Sequence, residues 1–249
     1  MRTRFREEQS RQIVHDSLHC REGWTLSYLL EAEGNTAGYG SITIAGPWKD
    51  KPTVFEFYLL PEHRSRAFHF FEALMVASGA RFFEVQTSDC LSTCMALTYG
   101  RDIVSEKIVF HDKLTTTHLC RRAALRAQTS DEEIRAAIER RQGGGEWVIE
   151  LDGTAVGKGG ILFHYNRPYG DSYMEVNESS RRRGLGSFLV QELKGECYRL
   201  GAVPCARCDP ANVPSRLTLQ RAGFVPCAHI LIGSLALSPS TPGSSSPVP

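Results

Sequence analysis

Three consecutive arginines run directly into two closely spaced glycines in the second half of the chain, as Arg181-Arg182-Arg183-Gly184-Leu185-Gly186. The preceding residues, SYMEV, alternate between polar and apolar, and the following residues place apolar side chains at helical spacing. The motif therefore lies at a strand-to-helix turn. Free N–H groups at a helix start favour an anion, glycines let the backbone approach it closely, and arginines add fixed charge. The pattern predicts a phosphate site that suits a pyrophosphate.

The same motif has an alternative interpretation, because runs of arginine usually form solvated surface. An Arg-x-x-Gly-x-Gly pattern is also not the six-residue dinucleotide fingerprint, since Gly-x-Gly-x-x-Gly is not present. The motif alone leaves phosphate binding and solvated surface open.

Composition places the positive charge of this motif in context. Lys plus Arg is 29 and Asp plus Glu is 28, a net charge of +1, which argues against a general nucleic-acid binder. No apolar run reaches the length of a membrane span, and the first ten residues lack the apolar core of a signal peptide. Eight scattered cysteines are too sparse for a disulfide scaffold. We expect a cytoplasmic protein that binds neither nucleic acid nor membrane.

One order of elements occurs twice along the chain. Helical patterns over 7–18 and 130–141 are each followed by a strand that begins at a tryptophan, Trp24 or Trp147, and by a Gly-x-Gly strand. Arg64 and Arg181 each follow a strand position, Leu59 or Val176, by five residues. This order predicts a mixed α/β fold with a largely antiparallel sheet flanked by helices in each half. The predicted domains are 1–115 and 116–236, followed by a disordered Ser/Pro-rich tail at 237–249.

Residues downstream of the arginine motif extend the pattern. Asn212, Ser215 and Arg216 lie at the start of a further helix, and Gly223-Phe224 at its end. In this order and spacing, residues from about 118 to 235 resemble the GNAT family of N-acetyltransferases. The first half resembles the same fold in degenerate form, because Ala67 and His69 stand where the glycines should fall. We expect that half to bind no acyl-CoA.

The resemblance implies that the second half binds acetyl-CoA as the acyl donor and needs no metal. The pyrophosphate would lie on the arginine-glycine turn, Val176 would use its main chain beside the pantetheine arm to polarise the thioester carbonyl, and Asn212 would bond the pantetheine. The implied acetyl-CoA-binding residues are Val176, Arg181, Arg182, Arg183, Gly184, Leu185, Gly186, Ser187, Asn212, Ser215 and Arg216.

Acetyl transfer to an amine also needs a proton acceptor and a donor for the leaving thiolate. Glu175 is the leading candidate for the base, and Val176 the candidate for stabilising the oxyanion, although Glu175 could equally be an outward-facing strand carboxylate. Asp171 and Glu178 are weaker candidates. The tyrosine that many members of the family use as the acid is replaced by Leu219.

Two further groups of residues have both a chemical and a structural interpretation. Cys205 and Cys208 have the spacing of metal or redox pairs, yet on a strand they would point to opposite faces, which favours small buried side chains. His164 lies in a predicted loop that could line the acceptor site or be ordinary polar surface.

These observations predict an acyltransferase that moves an acetyl group to an amine of a small molecule or to an amino terminus, acting as a monomer or homodimer. The alternatives are a non-catalytic acyl-CoA-binding sensor or partner module and a GNAT-fold enzyme that uses another acyl-CoA.

Overall fold

The computed structural model describes residues 1–120 and 122–236, which form two compact units. The predicted tail at 237–249 lies outside the described residues. Among the described residues, the first unit comprises Met1–Phe5, Arg21–Val104 and residues 231–236, and the second comprises Arg6–Cys20 and Ser105–Ile230. The units therefore differ from the predicted ranges 1–115 and 116–236, because residues 6–20 and 105–115 belong with the second unit.

The first unit has one mixed sheet with two helices of its own. In this unit β1, β2 and β3 are antiparallel neighbours and β3 pairs with β4 in parallel. Apolar side chains of helices α2 and α3 pack on the sheet, including Phe71, Leu74 and Met95. The elements are β1 (Thr25–Ala32), β2 (Asn35–Thr43), β3 (Thr53–Leu59), α2 (Ala67–Ser78), β4 (Phe82–Gln86) and α3 (Cys90–Tyr99). Helix α1 (Arg2–Gln9) and strand β5 (Gly100–Asp112) contribute residues to both units.

The second unit has the strand order β11-β5-β10-β9-β8-β7-β6. Its sheet is antiparallel except for the parallel pairing of β9 with β10. The elements are β6 (Ala123–Ala127), α4 (Asp131–Arg140), β7 (Gly144–Leu151), β8 (Thr154–Leu162), β9 (Tyr169–Val176), α5 (Leu185–Arg199), β10 (Val203–Cys208), α6 (Val213–Arg221) and β11 (Phe224–Leu235). Mixed α/β architecture with a largely antiparallel sheet is confirmed.

Helix α4 begins where the sequence predicts, at a capping box in which Ser130 and Glu133 bond each other's backbone. The helix predicted over 7–18 is wrong. Helix α1 ends at Gln9 because Ser10 has a left-handed φ of 48°, and the chain then runs extended into a short 3-10 helix. Side chains hold this segment: Gln12 donates to the Phe110 carbonyl at 2.8 Å, and Asn166 accepts from the Ile13 N–H.

A buried ion pair fixes helix α5 to the chain that leaves β5. Lys194 is 5% exposed, and its Nζ lies 2.6 Å from Asp112 Oδ1. The same ammonium donates to the carbonyls of Leu114 and Ala222, each at 2.8 Å. Tyr198 donates from its hydroxyl to Asp112 Oδ2 at 2.7 Å. A single lysine of α5 thus bonds to two other segments of the second unit, residues 112–114 and the chain just after α6.

Replacing this lysine should destabilise the second unit. We expect Lys194→Met to lower the free energy of unfolding by about 3–5 kcal/mol, because it leaves the Asp112 carboxylate buried without its counter-ion. Urea unfolding followed by circular dichroism measures the loss. Lys158→Met, at an exposed lysine of the same unit, should change stability by less than about 0.5 kcal/mol. Equal effects of the two substitutions would contradict the role given to Lys194.

Candidate functional site

The arginine-glycine motif forms a tight turn in which two residues have left-handed backbone. Arg182 has φ 60° and Gly184 has φ 79°, and Gly184 is the N-cap of helix α5. No side chain caps this helix start. The first N–H groups of α5 are therefore left for an external acceptor, at the positive end of the helix dipole.

Arg181 braces the turn rather than extending from it. Its Nε donates to the main-chain carbonyl of Val176 at 3.0 Å, which ties the loop back to the end of β9. Arg64 makes the same bond in the first unit, from its Nε to the Leu59 carbonyl at 3.1 Å. The five-residue spacing recognised in the sequence thus corresponds to one hydrogen bond formed twice.

Helix α6 forms the opposite wall of the site. Asn212 caps this helix by accepting from the Ser215 N–H at 3.1 Å. Gly186 lets α5 approach α6 closely, because a Cβ at this position would lie 3.2 Å from Thr218 Cγ2 and 3.7 Å from the Met174 side chain. The glycine is therefore needed for helix packing at the wall of the site.

A cavity of about 740 Å³ lies between the turn, the end of β9 and α6. Ten of the twelve residues predicted from the sequence to bind or act line this cavity, and the two exceptions are Arg183 and Arg216. The predicted residues that do line it are Glu175, Val176, Arg181, Arg182, Gly184, Leu185, Gly186, Ser187, Asn212 and Ser215. Arg221 also lines it and was not recognised in the sequence, where it is one arginine among many.

Strands β9 and β10 pair over three residues only and then separate. The pairs are Val203 with Tyr169, Pro204 with Gly170, and Cys205 with Asp171. Beyond Asp171, the edge of β9 that faces β10 has no strand partner in the register. The two strands therefore open a slot that begins at Asp171 and widens towards the end of β9, where the arginine-glycine turn follows.

Side chains on the two faces of this slot differ in character. Met174 and Val176 pack with apolar residues of α5, including Leu189. Asp171 alternates to the other face, where His164 Nε2 lies 3.1 Å and Arg207 Nε 3.4 Å from its Oδ2. From the sequence, Asp171 is a weaker candidate for the base and His164 a candidate for lining the acceptor site, and nothing in their spacing indicates that they meet.

Comparison with known proteins agrees with this geometry. Residues 113–224 match the model of the acetyltransferase (GNAT) family. A GNAT-family acetyltransferase from Colwellia psychrerythraea is similar in structure with a TM-score of 0.65 at 15% identity, covering 84% of this chain and 85% of that chain. A tandem GNAT protein from the clavulanic acid biosynthesis pathway has a TM-score of 0.59 at 14% identity, covering 91% and 87%. A GCN5-related N-acetyltransferase from Sphaerobacter thermophilus has a TM-score of 0.53 at 16% identity, covering 88% and 83%. Among curated proteins, none matches this sequence.

This matched segment, residues 113–224, is called the GNAT domain below because of that match. The arginine-glycine turn, helix α5 and strand β10 all belong to this matched segment. At 14–16% identity these structures show only the fold of this chain, and the similarity covers most of its length.

Four residues of the GNAT domain have structural surroundings rather than a chemical site. Tyr198 is engaged with Asp112, and Leu219 is buried among core residues of α5, α6 and β10. Cys205 and Cys208 belong to different apolar clusters on opposite faces of β10, and burial raises the pKa of the Cys205 thiol well above its usual range. Among residues 1–120 and 122–236, no three His, Cys, Asp or Glu side chains are grouped to hold a metal ion. No helix in the described part of the chain is long and apolar enough to cross a bilayer.

The first unit has the corresponding positions without the same turn. A short 3-10 helix over Pro61–Arg66 leads into α2. The N-cap of α2, Arg66, has φ −104°, whereas the N-cap of α5, Gly184, has a left-handed backbone. Asp89 caps α3 by accepting from the Ser92 N–H at 3.2 Å, as Asn212 caps α6. Burial raises the pKa of Asp89 from 3.8 to about 6. An acidic side chain thus replaces the amide at this position.

Exchanging this cap residue should stabilise the first unit in a pH-dependent way. Because the folded-state pKa of Asp89 is raised, the folded chain holds its proton more tightly, and stability falls as pH rises from about 4 to about 6. Asp89→Asn removes a penalty of about 3 kcal/mol above that window. We expect a higher melting temperature at pH 8 and little gain at pH 4.5.

Thermal unfolding at the two pH values measures this difference. The reciprocal change, Asn212→Asp, is the control, because that cap is exposed and Asp and Asn cap helices about equally well. A gain for Asp89→Asn that is the same at both pH values would show that the buried charge is not its cause.

Proposed function

We propose that the GNAT domain binds acetyl-CoA in the cavity beside helix α5 and transfers its acetyl group to an amine of a small molecule or to an amino terminus. The left-handed turn at Gly184 carries this proposal, because it leads into a helix start without a side-chain cap that itself lines the cavity. The cavity volume, about 740 Å³, lies within the range of small-molecule sites.

The turn would bind the pyrophosphate. In this proposal the N–H groups of Leu185, Gly186 and Ser187 donate to phosphate oxygens, and the helix dipole favours their charge. Arg182 and Arg221 line the cavity and add fixed positive charge. Arg181 acts mainly by holding the loop against β9, and we assign no direct contact to Arg183 or Arg216.

The slot between β9 and β10 would take the pantetheine arm. An extended chain with amide groups can pair with an open strand edge as an added strand does, and β9 offers such an edge beyond Asp171. Glu175 and Val176 line the cavity at the end of β9 next to the turn, so they would meet the arm near its phosphate end. Asn212 uses its carbonyl oxygen as the helix cap, which leaves its amide NH2 for the ligand.

Acetyl transfer is favoured over a non-catalytic acyl-CoA sensor by the polar side chains at the narrow end of the slot. A sensor needs the phosphate turn but has no use for titratable groups beside the thioester. Release of free CoA from acetyl-CoA in the presence of amines would support the enzyme, and binding without any release would support the sensor. Comparison of acetyl-CoA with longer acyl-CoA thioesters would test the acyl preference.

The first test is a calorimetric titration of acetyl-CoA into the wild type and Gly186→Val. Valine would push against Thr218 and Met174 and separate α5 from α6 at the cavity wall, so we expect its Kd to rise at least tenfold. Gly195→Ala is the matched control, since Gly195 is in the same helix and a Cβ there meets open space. Unchanged affinity in Gly186→Val would refute the assignment of the cavity.

We expect one acetyl-CoA per chain, because the first unit lacks the glycine turn. His69→Val and Ala67→Gly, at the positions that correspond to Gly186 and Gly184, should leave both the stoichiometry and the Kd of acetyl-CoA unchanged. The same calorimetric titration counts the sites. Two sites per chain, or a weaker Kd in either variant, would mean that the first unit takes part in binding.

A further inference from the structure

A buried polar cluster lies where β9 and β10 begin to separate. Asp171 is 5% exposed and Tyr165 is 1% exposed. His164 lies near the start of the loop between β8 and β9, with its ring 4.6 Å from that of Tyr165 and its Nε2 3.1 Å from Asp171 Oδ2. Arg207, on β10, reaches the same carboxylate oxygen at 3.4 Å. Four polar side chains from two strands and a loop thus meet at the narrow end of the slot.

Two polar atoms of this cluster are buried without a hydrogen bond. Within the described residues, neither His164 Nε2 nor the Tyr165 hydroxyl has a partner of hydrogen-bonding geometry, although the ring nitrogen lies close to Asp171. Buried polar atoms are nearly always satisfied, and an exception calls for a ligand, a water or a catalytic role. Both atoms lie beside the Asp171 carboxylate.

The position of the cluster matches the far end of the proposed arm. Val176 lies five residues after Asp171 along β9, so their Cα atoms are roughly 16 Å apart in an extended strand. The phosphate turn follows Val176 directly, so an arm laid along β9 from that turn brings its thioester towards Asp171. Glu175 and Val176 lie at the opposite, phosphate end of this path.

We propose that His164, assisted by Asp171, takes the proton from the attacking amine, and that the Tyr165 hydroxyl helps to hold the amine nitrogen in place. This inference rests on the proposed function, and it moves the base from Glu175 to the narrow end of the slot. Because the cluster is buried, only a slender group enters it. The acceptor class is therefore a primary amine on an unbranched carbon.

The step balances without any further reactant. The nitrogen lone pair forms the C–N bond with the thioester carbonyl, the C–S bond breaks, and its electron pair leaves on the thiolate. The His164 ring nitrogen that faces away from Asp171 accepts the proton that the amine loses, and the Asp171 carboxylate, which faces Nε2, stabilises the resulting imidazolium. Passing that proton to the thiolate gives the amide and free CoA thiol and restores the neutral ring.

Two probe amines separate proton acceptance from a structural role. Ethylamine is largely protonated at neutral pH and must lose a proton to react, whereas hydroxylamine is largely neutral and less dependent on a base. We expect His164→Asn to lower kcat/KM for ethylamine at least 100-fold, the scale of general-base catalysis, and for hydroxylamine less than tenfold. Free CoA thiol release from acetyl-CoA is the readout.

The pH profile for ethylamine provides a second readout. The pH dependence of kcat/KM for ethylamine should differ between the wild type and His164→Asn. The charged and titratable groups that face the ring are Asp171 on β9, Arg207 on β10 and Tyr165 beside it. Asp171→Asn should lower the ethylamine rate as well, since it removes the group that stabilises the imidazolium.

Controls make the outcomes distinct. His229→Asn, at a histidine on β11 paired with Ser105, should leave both rates unchanged, and His164→Asn should keep the wild-type Kd for acetyl-CoA. Equal falls with both amines, or the base-dependent pattern appearing in Glu175→Gln instead, would overturn the proposal. Tight acetyl-CoA binding with no reaction of either amine in the wild type would also overturn it, while leaving CoA binding intact. Failure to bind acetyl-CoA would instead refute the proposed function.

Discussion

The GNAT domain depends on one constraint, which is that two parallel strands pair at one end and separate at the other. Strands β9 and β10 share three register positions and then part after Asp171 and Cys205. A fully paired sheet would leave no open strand edge, whereas strands without any pairing could not fix their own separation. The helix packing below and the phosphate turn beyond both take their positions from these two strands.

Apolar packing on one face of β9 and β10 holds the two strands rigidly at their separation. Met174 and Val176 anchor β9 to α5, and Ala206 and Cys208 anchor β10 among residues of α5 and α6. The absence of a side chain at Gly186 then allows α6 to lie close to α5. The apolar face supplies the rigidity, so polar groups are confined to the opposite face and to the turn.

Sequence alone was enough for the fold class and for the position of the arginine-glycine turn at a helix start, because both depend on local patterns. Glycine spacing, the capping box at Ser130 and the five-residue distance from Val176 to Arg181 are readable in a single chain. The path of residues 6–20 was not, since that segment is held by distant partners such as Phe110 and Asn166. Nor was the meeting of His164, Asp171 and Arg207, which depends on the register of three separate elements. The sequence also does not indicate that Arg221 lines the cavity or that Arg183 and Arg216 do not. This depends on which side of a turn or helix each arginine lies.

The two units share the hydrogen bonds of this region and differ in a few residues of the turn and the helix cap. Both use an arginine bonded to the carbonyl five residues earlier, and both cap the later helix with a side-chain oxygen that accepts from the N–H three residues on. They differ in whether the turn contains a left-handed glycine and in whether the cap carries a charge. Without the glycine, the left-handed turn that exposes the N–H groups of the helix start does not form. A buried carboxylate at the cap repels an anion. The shared hydrogen bonds hold the turn and the later helix start in both units. Under the proposed function, the residue types at the turn and the cap decide which unit binds a phosphate.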